Sequence, residues 1–196
     1  FGVSAAAATV TVAGGSLFTD FTSDDWYFDY VDDAVSLGLF FGRGNEFDPT
    51  QTITRAEFAA ALANLAGVDT AAYAGDSDFS DINGQWYSGA VNWVAAMGYM
   101  SGMGDGTFGA ANPITREQMA AILCRYASYK GMDVTKRADL SAFSDAGQVS
   151  DYALETMRWA VAEGLITGTS ETTLSPAGSA TRAQAALILM RFAALE

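Results

Sequence analysis

The chain has 196 residues, of which 10 are Lys or Arg and 23 are Asp or Glu, with no histidine, so its formal net charge is −13. That carboxylate excess excludes a nucleic-acid binder and disfavours an anionic membrane surface, since both need concentrated cations, and the missing histidine removes the commonest general base and zinc ligand. With 50% hydrophobic and 17% charged residues, the chain has the material for a packed interior.

The first residues, Phe1-Gly2-Val3-Ser4 followed by four alanines, are similar to a signal-peptidase cleavage region and point to export. Residues 8–15 then alternate, with Val10 and Val12 on one side and Thr9 and Thr11 on the other, which predicts an extended strand. An unpaired strand edge is a template for pairing. The segment therefore either docks on its own fold or adds to a neighbouring copy to build a homo-oligomer or filament. No run reaches the roughly 18 apolar residues of a membrane-spanning helix, and the lone Cys124 excludes an internal disulfide.

From Phe18 onward the sequence repeats three times. Phe18-Thr19-Asp20 recurs as Phe79-Ser80-Asp81 and Phe143-Ser144-Asp145. Each is followed by an aromatic (Trp26, Trp86, Tyr152), a glycine twelve residues on (Gly38, Gly98, Gly164), a second four further (Gly42, Gly102, Gly168), and finally Thr-Arg. Apolar residues at helical spacing after each aromatic, such as Tyr27, Val31, Ala34 and Val35, predict one helix per copy. Ser23, Asp24 and Asp25 are expected to cap the first of these and Ser150 and Asp151 the third, with the first glycine ending each helix in the left-handed conformation.

A glycine-rich loop follows in each copy, carrying an apolar plug (Phe47, Phe108, Leu174), and a second helix then begins at a capping box. Thr54 pairs with Glu57, Thr115 with Gln118, and Thr181 with Gln184, so two otherwise orphaned N–H groups find acceptors at each start. These second helices are apolar nearly all round and are expected to pack centrally, with Cys124 as a buried, inert thiol. One helical pair cannot bury its own face, so three pairs must share a core. The fold class read from this pattern is all-α, with an N-terminal segment at 1–17 and helix–loop–helix modules at 18–67, 79–128 and 143–196.

An arginine follows every capping threonine: Arg55, Arg116 and Arg182. A cation at the first helical position faces the positive end of the helix dipole, at a cost of about 0.3 to 1 kcal/mol. Two roles stay open. Each guanidinium could join the helix's N-terminal N–H groups as an anion receptor, or each could pair with an aspartate of the next module. Under the receptor reading, replacing all three with alanine abolishes anion binding and spares helicity. Trp93 and Trp159 read as packing residues, and Arg125 and Arg191 as solvated or inter-module groups.

No catalytic or metal-binding constellation stands out. Adjacent carboxylates such as Asp24-Asp25 and Asp32-Asp33 point apart on a helix. Asp76-Ser77-Asp78 lacks the glycine and distal glutamate of a calcium loop. Neither an enzymatic activity nor a cofactor is expected.

The triplet Ile53-Thr54-Arg55-Ala56-Glu57, Ile114-Thr115-Arg116-Glu117-Gln118 and Ala180-Thr181-Arg182-Ala183-Gln184, together with the loops Gly104-Asp105-Gly106-Thr107-Phe108 and Phe47-Asp48-Pro49, resembles three tandem S-layer homology domains over about residues 18–196. The resemblance implies a pseudo-threefold bundle anchored at the bacterial cell surface. Its inter-module grooves would bind an anionic, often pyruvate-bearing, secondary cell-wall polysaccharide. The family's ligand residues fall on Arg55, Arg116 and Arg182, on Asp20, Asp81 and Asp145, and on Trp26, Trp86 and Tyr152. Copy three departs by carrying Tyr152 for Trp and Gly168-Thr169-Ser170-Glu171 for the Gly-Asp-Gly loop, which puts its groove in question.

Overall fold

In the computed structural model, which describes residues 17–196, three helices begin at capping boxes: α2 (Arg55–Leu65), α4 (Arg116–Tyr129) and α6 (Arg182–Ala193). At each start the threonine hydroxyl accepts from the third helical N–H, and Glu57, Gln118 or Gln184 accepts from the threonine's own N–H. Three shorter helices alternate with them: α1 (Phe28–Ser36), α3 (Ser88–Ala96) and α5 (Leu154–Ala162). Among the described residues there is no strand, only isolated bridges. The strand expected at residues 8–15 lies outside them.

The shorter helices start differently from the sequence expectation. Their N-caps are Tyr27, Tyr87 and Ala153, none making a side-chain cap. The polar residues expected there are engaged elsewhere. Asp25 accepts from the Thr22 N–H at 2.9 Å, and the Ser150 hydroxyl donates to Glu117 at 2.8 Å. Backbone turns take over the capping, with Phe28 N–H donating to the Asp25 carbonyl and Ala153 N–H to that of Ser150. Each of these helices ends before a glycine, Gly38, Gly98 or Gly164, at φ 71°, where any other residue would carry a Cβ penalty.

The sequence repeats are not the packing units. Helix α3 lies on α2, α5 on α4 and α1 on α6, so the first helix of each repeat packs on the second helix of the repeat before it, and the last repeat closes onto the first. At the centre, Ile53 N–H donates to the Ala180 carbonyl (3.0 Å), Ala180 N–H to Ile114 (3.2 Å) and Ile114 N–H to Ile53 (3.1 Å). This cyclic triplet is wholly buried. Around it pack Phe58, Leu62, Met119, Leu123, Ile188, Leu189 and Phe192, all at 3% exposure or less. Trp93 and Trp159 are core residues, and Cys124 is buried.

The Phe-x-Asp phenylalanines fix the second glycines. A Cβ on Gly42, Gly102 or Gly168 would collide with the ring of Phe18, Phe79 or Phe143 respectively, and with loop carbonyls. Gly102→Ala is therefore expected to destabilise the protein by about 1 to 3 kcal/mol through overpacking, whereas Gly75→Ala, with open space around it, should stay within about 0.5 kcal/mol; urea denaturation followed by circular dichroism measures both.

Candidate functional site

Each Phe-x-Asp motif builds a loop. Its middle residue ties the loop's far side, with Thr19, Ser80 and Ser144 N–H donating to the carbonyls of Asn45, Gly106 and Thr172. Its aspartate accepts backbone N–H groups at the plug. Asp20 takes Phe47 (3.0 Å) and Asp48 (2.7 Å), Asp81 takes Phe108 (2.7 Å) and Ala110 (2.8 Å), and Asp145 takes Leu174 (2.8 Å) and Ser175 (2.7 Å). Desolvation pushes the Asp81 carboxyl up, but the donated N–H groups outweigh it, and Leu174 and Ser175 likewise hold Asp145 below the usual carboxylate range.

The arginines grip the same plug residues from the neighbouring repeat. Nε of Arg55 donates to the Phe108 carbonyl (3.2 Å), that of Arg116 to Leu174 (2.9 Å) and that of Arg182 to Phe47 (2.8 Å). Their Nη2 groups donate to the carbonyls of Ser101 (2.6 Å), Thr167 and Phe41 (2.8 Å). Arg55 lies 4.7 Å over the Phe108 ring and Arg182 4.7 Å over that of Phe47. All three are buried, and burial pushes their pKa values down from the ordinary arginine value, with Glu57 pulling Arg182 back up.

Three grooves open at the repeat boundaries, each assembled from all three repeats. One, of about 310 Å³, joins Arg55 and Tyr152 to the Tyr99–Met103 loop and to Gln118 and Arg125 of α4. A second, of about 450 Å³, joins Arg182 and Trp86 to residues 39–43 and to Glu57 and Asn64 of α2. A third, of about 400 Å³, joins Arg116 and Trp26 to the Leu165–Thr169 loop and to Gln184 and Arg191 of α6. Arginine, aromatic and loop thus come from three different copies in every groove. The aromatics are open to solvent, at 58% for Trp26, 72% for Trp86 and 55% for Tyr152.

Several sequence expectations change here. The aspartates Asp20, Asp81 and Asp145 line none of the grooves and stand behind the loops instead. The arginines bond to carbonyls, and among the described residues Arg182–Glu57 is their single ion pair. The helix N-termini are not free anion receptors. The first N–H groups of α2 donate to Asn112 and Ala110, those of α4 to Gly178 and Pro176, and those of α6 to Gln51 and Pro49. The departures of copy three also fall in separate places, Tyr152 in the Arg55 groove and Gly168-Thr169 in the Arg116 groove.

Arg125 and Arg191 are groove residues, donating to the Tyr99 and Gly164 carbonyls. The signal for them was present in the sequence. Each lies seven residues after a capping Gln, two turns along one helix face. Arg43 and Phe41 carried no such signal.

The S-layer homology domain model matches residues 17–59, 78–120 and 142–186. Among curated relatives, an amylopullulanase of Thermoanaerobacterium thermosulfurigenes is 33% identical over 85% of this chain and 9% of its own length. A surface-layer 125 kDa protein of Lysinibacillus sphaericus is 31% identical over 95% of the chain and 16% of its own length. A cellulosome-anchoring protein of Acetivibrio thermocellus is 30% identical over 76% of the chain and 33% of its own length. The chain thus spans a third or less of these relatives, and the enzyme among them shares only a small fraction of its length with it.

Because the arginines hold the repeats together, replacing them with alanine is not expected to spare the fold. Arg116→Met should cost about 2 to 4 kcal/mol by leaving the Leu174 and Thr167 carbonyls unpaired, while Trp86→Ala, at an exposed ring, should cost under about 1 kcal/mol; thermal melts of both variants check the contrast.

Proposed function

This chain belongs to the S-layer homology domain family, and on that membership we propose that it is a non-catalytic anchoring module binding an anionic cell-wall polysaccharide at the bacterial surface through its inter-module grooves. The modules of the sequence are taken as 18–67, 79–128 and 143–196. One observation carries the reading: every groove brings together a solvent-exposed aromatic, a buried arginine and a loop that an aspartate ties from behind. An exposed ring offers a flat apolar face to the C–H side of a sugar, and a fixed guanidinium suits a carboxylate such as that of a pyruvate ketal.

The charge distribution supports the same reading. Six of the chain's 10 cations, Arg43, Arg55, Arg116, Arg125, Arg182 and Arg191, line the grooves. Focused local charge sets affinity even where net charge repels the ligand at long range. The relatives named as surface-layer and cellulosome-anchoring proteins support an extracellular, cell-surface setting. The part of the arginines in the reading is their groove-facing edge, and that of Asp20, Asp81 and Asp145 is to position the loops.

Wall co-sedimentation tests the proposal. The protein should pellet with purified walls and stay in solution once the non-peptidoglycan polymer is removed, and Trp26→Ala, Trp86→Ala and Tyr152→Ala together should reduce pelleting about tenfold or more while the melting curve is kept. Undiminished pelleting of the triple variant sinks the reading.

The surface-layer relative supports a second reading that need not exclude the first, self-assembly, for which the alternating sequence of residues 8–15 points to strand addition. Deleting residues 1–15 should then leave wall binding unchanged and convert polymer to monomer in size-exclusion chromatography.

A further inference from the structure

We propose that the three grooves divide the work: those built on Arg55 and Arg116 take the carboxylate of an acidic sugar, whereas the one built on Arg182 is already filled by the chain's own Glu57 and takes the face of a neutral sugar. This rests on the polysaccharide-binding reading and assigns ligand chemistry groove by groove.

The difference lies in one atom of the capping box. In all three boxes an oxygen of the third helical residue accepts from the threonine N–H: Glu57 Oε2 at 2.9 Å, Gln118 Oε1 at 3.2 Å and Gln184 Oε1 at 3.1 Å. That bond fixes which way each side chain lies. Its other terminal atom is a carboxylate oxygen in Glu57 but an amide NH₂ in Gln118 and Gln184, and all three residues line their grooves.

The arginines answer to this difference. Nη1 of Arg182 donates to Glu57 Oε1 at 3.3 Å, and Arg43 Nη2 donates to the same oxygen at 2.6 Å. Arg43 also meets Asp48 at 3.1 Å. Two cations are thus matched by two carboxylates.

Arg55 and Arg116 are more than nine-tenths buried, yet among the described residues Nη1 of neither has a partner. Neither atom is sealed inside the protein, because the buried, unpartnered side-chain polar atoms among those residues are the Tyr99 hydroxyl and the Trp159 indole N–H. Their grooves add Arg125 and Arg191 and contain no acidic lining residue. Glu117, which reaches the edge of the first through Tyr152, is engaged with Ser150 and the Tyr152 hydroxyl. A ligand carboxylate there finds donors in Nη1, the glutamine NH₂ and a second guanidinium.

The Arg182 groove offers apolar surface instead. Trp86 and Phe41, 72% and 69% exposed, flank it, and Phe41 stands where the other grooves have Ser101 and Thr167. Entry of an anion would place it against Glu57, whereas a neutral pyranose meets two rings.

The Trp26 and Trp86 indole resonances report the Arg116 and Arg182 grooves separately, and the Tyr152 ring reports the third. Titration of the full chain with sodium glucuronate should shift Trp26 and Tyr152 and leave Trp86 in place, while methyl glucoside should shift Trp86. Glu57→Gln, which installs the residue that copies two and three carry, should bring the Trp86 response to glucuronate within about tenfold of that of Trp26. A wild-type Trp86 that responds to glucuronate as strongly as Trp26, a Glu57→Gln variant whose Trp86 stays silent, or no glucuronate response at Trp26 overturns the division. Wall co-sedimentation of the same samples keeps the two failures apart: walls bound with the wrong indole responding sinks the division alone, and loss of wall binding by the wild-type protein sinks the anchoring reading beneath it.

Discussion

Three backbone hydrogen bonds, running from Ile53 to Ala180 to Ile114 and back to Ile53, set the geometry of the whole molecule. Each of these residues gives one N–H to a neighbour and takes one from the other, in a place from which water is excluded. A buried amide left unpaired costs about 1 to 3 kcal/mol, so the triplet holds as a unit. The residues that follow, Thr and Arg, then have no choice of direction. The helix begins, its first N–H groups land on the next repeat's loop, and the guanidinium reaches the plug carbonyl beside them. Groove and core are built by the same few residues.

The plug residue is where the two halves of that construction meet. Phe47, Phe108 and Leu174 each give their N–H to an aspartate of their own repeat and their carbonyl to an arginine of the repeat before. Opposite charges therefore act on each plug through its main chain without touching one another, save where Glu57 intervenes at Arg182. This arrangement explains how a chain with a net charge of −13 keeps guanidinium groups available at its clefts. The aspartates behind the loops are spent on peptide N–H groups.

What the sequence disclosed was local. The capping boxes, the left-handed glycines and the alternation of two helices per repeat follow from spacing along one chain segment, and Thr54, Thr115 and Thr181 stand at the helix starts. What it concealed was which partner each local piece would choose. Nothing at Arg55 says that its hydrogen-bond acceptors lie 46 and 53 residues downstream on Ser101 and Phe108. An arginine–aspartate pair is the natural guess from charge, but backbone N–H groups had already claimed the aspartates. The capping of α1 and α5 departs from what residue type implies for the same kind of reason. Asp25 and Ser150 are good caps by residue type, yet Thr22 and Glu117 compete for them. The exchange of helices between repeats was equally hidden, because helical periodicity marks an apolar face without naming what covers it.

The packing of α1 against α6 turns a linear string of copies into a circle. A circle has a fixed circumference. A fourth copy inserted in the chain would have no seat in it, and a chain of two would leave one seam open to water, so lengthening such a protein means adding another complete trio. The same closure makes the starting point arbitrary: joining residue 196 to the first repeat and cutting between any two repeats would reorder the gene while preserving every seam.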